Sequence, residues 1–196
     1  MKTKHVLVAL MEDRKGVLNR VASLLRRRGF NIESLSVGHT DLPQISRMTI
    51  VVNGDDAIVE QVAKQLYKVI DILKVSDVTH DKAVERELAL IKVAANAQTR
   101  SEIMQIVDIY RAKIVDVAAD SLMVEATGTE DKIDSMINLL RGFGIKELAR
   151  TGIVAMVRSA AGVTRVADMD ESTVDARDGR VRTNHQRLTR PVAVEQ

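Results

Sequence analysis

The chain has 196 residues, 45% hydrophobic and 29% charged, which fits one folded domain or two small ones. Its 29 basic and 27 acidic groups are well mixed and leave a net charge of +2, so there is no basic surplus for nucleic acid or an anionic membrane. It has no cysteine, which excludes disulfides, thiolate metal sites and cysteine nucleophiles and is compatible with a reducing compartment.

The N-terminal "MKTKHVLVALMEDRK" carries an apolar run that is too short for a signal segment and is followed at once by charges. No apolar stretch approaches the roughly 20 residues of a membrane span. The expectation is a cytoplasmic protein with no targeting segment. "KHVLVALM" reads as a strand, bounded by the turn-like "EDRKG". Val17, Leu18, Val21, Ala22, Leu24 and Leu25 then fall on one helical face. Gly29 stands just past the last turn, a common helix stop. "NIESLSVGH" alternates and "ISRMTIVV" is β-rich, with "TDLPQ" between them as a turn, so the two predict a hairpin. "NGDDAIVEQVAKQLYKVI" predicts a second helix and "IDILKVSDVTH" a closing strand.

After "HDKAVERE" the pattern recurs. "LALIKVAA" predicts a strand, and "TRSEIMQIVDIYRA" a helix whose capping box is Thr99 with Glu102. "KIVDVAA" and "LMVEATG" predict two strands around a "DS" turn. "TEDKIDSMINLLRGFG" predicts a helix capped by Thr129 and stopped by Gly142 or Gly144, and "IKELARTGIVAMV" one final strand. The order is βαββαβ twice. The fold class is α+β: two consecutive ferredoxin-like sandwiches, over 4–79 and 80–158, each with two helices on one face of a four-stranded antiparallel sheet. The segment 159–196 has mixed charge and no sustained periodicity, and reads as a flexible tail.

No catalytic constellation is present. The histidines His5, His39, His80 and His185 are scattered and lack ligand spacing. There is no G-x-S-x-G, HExxH or Walker loop. "GFG" at 142–144 reads as a helix stop, and the acid pairs Asp55-Asp56 and Glu130-Asp131 sit at helix starts, where the macrodipole favours them. RNA-recognition modules share the topology but stack bases on strand aromatics, and neither "ISRMTIVV" nor "LMVEATG" has a ring. The "RRRG" run complements the end of a helix dipole, with docking of an acidic partner as the other reading.

The segment "MEDRKGVLNRVASLLRRRGFNIES" is the exception. The first amides of a helix lack internal partners and carry partial positive charge, so a carboxylate can dock there, and Gly16 lets its backbone come close. Asn31, opening the next strand, can donate and accept. Asp13 can accept from an ammonium group. These residues suit a free amino acid whose apolar side chain lies against Val17, Leu18 or Ile32, and they place Gly16 and Asn31 at the mouth of one site. In the plainer reading Asp13 caps the helix and Gly16 only fits a tight turn.

"EDRKGVLNRVASLLRRRGFNIESLSVG", "ISRMTIVV", "QLYKVIDILKV", "VERELALIKV" and "GTEDKIDSMINLLRGFGIKELARTGIVAM" resemble the regulatory small subunit of acetolactate synthase, whose first unit is an ACT domain. The resemblance runs from about Lys4 to Arg158, and the lack of an organellar presequence points to the bacterial form. It implies a non-catalytic protein with no cofactor of its own. Its partner would be a large subunit carrying thiamine diphosphate, magnesium and FAD, which it activates and makes sensitive to valine. It also implies a homodimer through ACT domains, with the effector between two chains and held at positions matching Asp13, Gly16, Val17, Leu18, Asn31 and Ile32. Two positions depart from the family: Lys15 where proline is frequent, and Asp13 where some members have asparagine. A carboxylate at Asp13 would repel the effector's own unless it meets the ammonium. The alternative is a free-standing ACT-type sensor acting on another partner.

Overall fold

The apolar run over 6–11 is unbroken because the strand that holds it is buried on both faces. The computed structural model describes residues 3–158. In the first unit the elements are β1 (Thr3–Glu12), α1 (Val17–Arg27), β2 (Ile32–His39), β3 (Ile45–Gly54), α2 (Asp56–Leu66) and β4 (Ile72–Asp77). The sheet order is β2-β3-β1-β4, with antiparallel ladders. Leu7, Ala9 and Met11 of β1 and Met48, Ile50 and Val52 of β3 face the helices, meeting Val17, Val21 and Leu25 of α1 and Val59, Val62 and Leu66 of α2. The buried helical face of α1 is narrower than its apolar pattern predicts, because Leu18 is 45% exposed.

The second unit repeats this plan with β5 (Ala83–Ala94), α3 (Arg100–Ile109), β6 (Lys113–Val117), β7 (Ser121–Gly128), α4 (Glu130–Leu140), a 3-10 turn (Arg141–Phe143) and β8 (Ile145–Arg150), in sheet order β6-β7-β5-β8. Its core joins Ile91, Val93, Leu122 and Val124 to Ile103, Val107, Ile133, Met136 and Leu140. Both sheets are antiparallel with two helices on one face, the ferredoxin-like sandwich expected. The tail expected over 159–196 lies outside the described residues.

Three local expectations differ. The strand "LALIKVAA" starts earlier, at Ala83. The single strand expected over 145–157 is two: β8 ends at Arg150, and β9 (Val154–Val157) follows after Gly152, whose φ is +76°. The two differences share a cause. β9 leaves its own sheet's path to pair with 83–86, giving the extra length of β5 a partner. The third is the capping box. Thr99 makes no side-chain cap; instead Asn96 Oδ1 accepts from the amides of Gln98 and Thr99, each at 2.9 Å. Thr129 occupies the expected cap position without a side-chain bond, and the helix stop is Gly144, at φ +92°.

The β5–β9 ribbon packs on the face of the first sheet that its helices leave open. Ile153 and Ala155 close over Val6, Val8, Val51 and Val78, all buried, and Arg47 Nη2 donates to the Ala155 carbonyl at 2.5 Å. Burying an aliphatic side chain contributes about 1.5–3 kcal/mol, so this patch is a substantial join between the units. Glu87, 4% exposed, is held by Arg150, which also donates to Asp134 at 2.7 Å. Burial lowers the affinity of Arg150 for its proton, but the hydrogen bonds to Glu87 and Asp134 outweigh it and the net shift is upward.

Gly16 and Gly152 separate two costs of a side chain. Both are left-handed, but a Cβ on Gly16 meets nothing within 4 Å, whereas one on Gly152 stands 3.1 Å from the Ser34 Cβ. Gly16→Ala is expected to cost about 1 kcal/mol from backbone strain alone. Gly152→Ala is expected to cost about 2–3 kcal/mol because Ser34 must also move. Urea unfolding midpoints at an unchanged slope check the difference.

Candidate functional site

The loop from β1 to α1 is built to leave a helix start open. Glu12, 6% exposed, takes Arg14 Nε at 2.9 Å, and its amide donates to the Asp71 carbonyl, also at 2.9 Å. Asp13 donates its amide to the Gln44 carbonyl at 2.7 Å. The Val17 amide turns back to the Arg14 carbonyl at 3.3 Å, and Arg20 begins the helical ladder on Gly16. Gly16 is the N-cap residue, in the left-handed region at φ +86°, and no side chain caps the helix. The amides of Leu18 and Asn19 have no carbonyl within the helix to meet, as at any helix start. The equivalent turn of the second unit closes on itself through Asn96. Neither helix start is capped by its N-cap side chain, but the two turns differ: Asn96 braces the turn before α3, and the turn before α1 ends on a left-handed glycine with no side chain.

The expected site residues fall into two groups. Asp13, Gly16 and Leu18 are exposed at one end of the unit, and the Asp13 carboxylate lies 3.2 Å from His39 Nδ1. Val17 is 2% exposed and belongs to the core, so it can only back the site. Asn31, exposed, and Ile32, half-buried, lie at the other end. Ile32 aligns through Val52 with His5, while His39 aligns through Ser46 with Met11. At about 3.3 Å per residue the two ends are about 20 Å apart. One chain therefore does not bring Gly16 and Asn31 together.

β2 lies at the edge of its sheet, and among the described residues it pairs only with β3. Its outer edge is free to take another strand. The ladder to β3 shifts register between Ile32 and Ser34, which makes Glu33 the extra residue of a bulge.

Several residues that frame the site escaped the sequence reading. Arg20 of α1 reaches Asp71 Oδ2 at 2.8 Å, and the Asp71 side chain is only 5% exposed. That pair fixes the open end of α1 to the start of β4. His39, partner of Asp13, was set aside for want of neighbours in the chain. Lys4 lies between Glu33 and Glu130. Burial disfavours its charge, but the hydrogen bonds to Glu130 and Glu33 more than offset this, and its proton is held more tightly than usual. Among the described residues no cluster of three or more His, Asp or Glu could hold a metal. None of their helices is long and apolar enough to cross a membrane.

Comparison with known proteins bears on both units. A family described as "AHAS small subunit-like ACT domain" matches residues 7–74, and one described as "Small subunit of acetolactate synthase" matches 86–159. A probable acetolactate synthase small subunit of Archaeoglobus fulgidus is 59% identical over 155 residues, 79% of this chain and 97% of that one. This chain belongs to the acetolactate synthase small-subunit family. The small subunit of Mycolicibacterium smegmatis is 49% identical, covering 81% of this chain and 94% of its own. The crystal structure of the small subunit from Thermotoga maritima superposes with a TM-score of 0.75 at 43% identity, covering 80% of this chain and 98% of that one. As a family member the chain is a small subunit of an enzyme complex, and its first unit is an ACT domain.

The Arg20–Asp71 pair yields a test. Arg20→Ala leaves a buried carboxylate without its cation. Arg20 itself is half exposed, so water can partly replace it, and a loss of about 1–3 kcal/mol is expected. Arg26→Ala, at an exposed position in the last turn of α1, is expected to cost less than about 0.5 kcal/mol. Thermal melting of the two variants side by side checks this.

Proposed function

We propose that this chain is the non-catalytic regulatory subunit of acetolactate synthase. It binds the catalytic large subunit, raises its activity, and makes it sensitive to valine or a related branched-chain amino acid held between two copies of the chain. Thiamine diphosphate, magnesium and FAD belong to the large subunit on this reading. The observation that supports the effector site is the position of Gly16 and Asn31 at opposite ends of an edge strand whose outer side is unpaired among the described residues.

Two identical edge strands related by a two-fold axis normal to the sheet run antiparallel. That operation sets the Asn31 end of one β2 beside the His39 end of the other. Gly16 of one chain and the partner's Asn31 then share one mouth, and the dimer has two such sites. The effector's carboxylate docks on the bare amides of Leu18 and Asn19, where the helix dipole favours negative charge. Its ammonium meets the side-chain oxygen of the partner's Asn31 and the Asp13 carboxylate, which resolves the objection to an acid at that position. Leu18, half-exposed on the first turn of α1, offers apolar surface to the branched side chain.

The test is reconstitution. The chain alone is expected to form no acetolactate from pyruvate. Added to the large subunit it should raise the rate, and valine should lower it again. Gly16→Asp keeps a residue type that tolerates the left-handed backbone but puts a negative charge where the effector's carboxylate docks. Valine sensitivity should vanish while activation survives. Asn31→Ala should weaken valine binding roughly tenfold to a hundredfold, for the loss of one hydrogen bond to a charged group at about 1.5–3 kcal/mol. A folded Gly16→Asp variant that stays fully valine-sensitive would place the site elsewhere.

A further inference from the structure

The Asn31 end of β2 is also where the first unit meets the second. Lys4 Nζ lies 2.6 Å from Glu33 Oε1, and 2.7 and 2.9 Å from the two carboxylate oxygens of Glu130. Glu33 is the bulge residue of β2, two positions from Asn31. Glu130 is the first residue of α4. Next to this bridge, Ser34 packs against Gly152 so closely that a Cβ there would stand 3.1 Å away. Between the contacts runs a cleft of about 400 Å³, lined by Glu33, Leu35 and Val51 from the first unit and by Glu130, Arg150 and Ile153 from the second. Glu87 is matched by Arg150, whereas Glu33 and Glu130 converge on Lys4. Without that cation two carboxylates would face each other across the cleft and repel.

The bridge has the properties of a switch contact. Its side chains are 44% (Lys4), 32% (Glu33) and 29% (Glu130) exposed, so water competes for each of them and the pairing is weak enough to be made and broken. Half of it rides on a bulge in an edge strand, where backbone pairing is interrupted.

We propose that Lys4 is a positioning residue that transmits effector occupancy from the Asn31 end of β2 to α4 of the second unit, through Glu33 and Glu130. This rests on the effector reading given above. When the effector and the partner chain hold the start of β2, Glu33 is fixed where Lys4 can span both carboxylates, and the bridge pins the start of α4 to the first unit. When the site is empty the start of β2 relaxes, Glu33 withdraws and the cleft opens. A large subunit docked against the chain meets α4 in a different position in the two states. Coupling of this kind is reciprocal, so breaking the bridge also weakens effector binding modestly.

The test uses the reconstituted complex and the Glu130→Gln variant, which removes the charge and keeps the shape. Three quantities are measured: valine binding to the small subunit by calorimetry, inhibition of acetolactate formation, and amide hydrogen exchange over 130–140 with and without valine. The variant is expected to activate like the parent and to bind valine within about threefold of it. Its maximal inhibition should fall below half of the parent's, and valine should no longer slow exchange at the start of α4. The swapped pair Lys4→Glu with Glu130→Lys should recover both. Full inhibition by Glu130→Gln, with the valine effect on exchange intact, would overturn the proposal. A variant that fails to bind valine would overturn it too, because the bridge would then build the site and not relay it. If the parent chain binds no branched-chain amino acid, the effector reading itself falls, and this proposal with it.

Discussion

The direction of β2 is the constraint on which the rest of the structure depends. A helix of eleven residues separates Gly16 from the start of that strand. At 1.5 Å per residue it carries the chain about 16 Å from one end of the sheet to the other. The strand then returns over the same distance. A bare helix start and the asparagine that would complete it are therefore fixed at opposite ends of one element. The outer edge of that element is unpaired among the described residues. A chain that must use both groups on one small ligand can do so by placing a second copy across the edge. Regulation by a metabolite and association of two chains then become one event.

The second unit matters for a different reason. It repeats the fold but not the candidate site: where α1 starts on a left-handed glycine, α3 follows a turn in which Asn96 accepts from the amides of Gln98 and Thr99. What the second unit supplies is attachment. Its long β5 and the β9 strand beyond Gly152 cover the open face of the first sheet with Ile153 and Ala155, while Lys4 and Glu130 meet at the adjoining rim. The apolar patch is a buried join, and the charged rim beside it is open to water.

Much of this was legible in the sequence. The element order and the two-fold repeat followed from apolar spacing, because each helix buries one stripe and each sheet one face. Gly16 stood out because a glycine at a helix start needs a backbone reason. What was not legible depends on contacts distant in the chain. The charged "AVER" has no strand alternation of its own; it becomes strand because residues 154–157 come back to pair with it. The break at Gly152 follows from that same return. Lys4 and Glu130 are 126 positions apart, and nothing in either neighbourhood marks them as partners. The separation of Gly16 from Asn31 was readable from the length of α1, yet their nearness in the chain suggested a single mouth. Thr99 stands at the N-cap without capping the helix, because its hydroxyl accepts from the Asn96 amide at 3.0 Å.

The proposal that two chains share each site is tested most directly by complementation between two disabled chains. Gly16→Asp and Asn31→Ala are each expected to lose valine binding or most of it. They are co-expressed with different tags, and the mixed dimer is purified through both. If each site takes Gly16 from one chain and Asn31 from the other, the mixed dimer carries one site with both defects and one intact site. Calorimetry should then find tight valine binding restored at about half the parent's stoichiometry. A mixed dimer that binds no better than either disabled homodimer would show that each site is built within one chain, and would contradict pairing across β2.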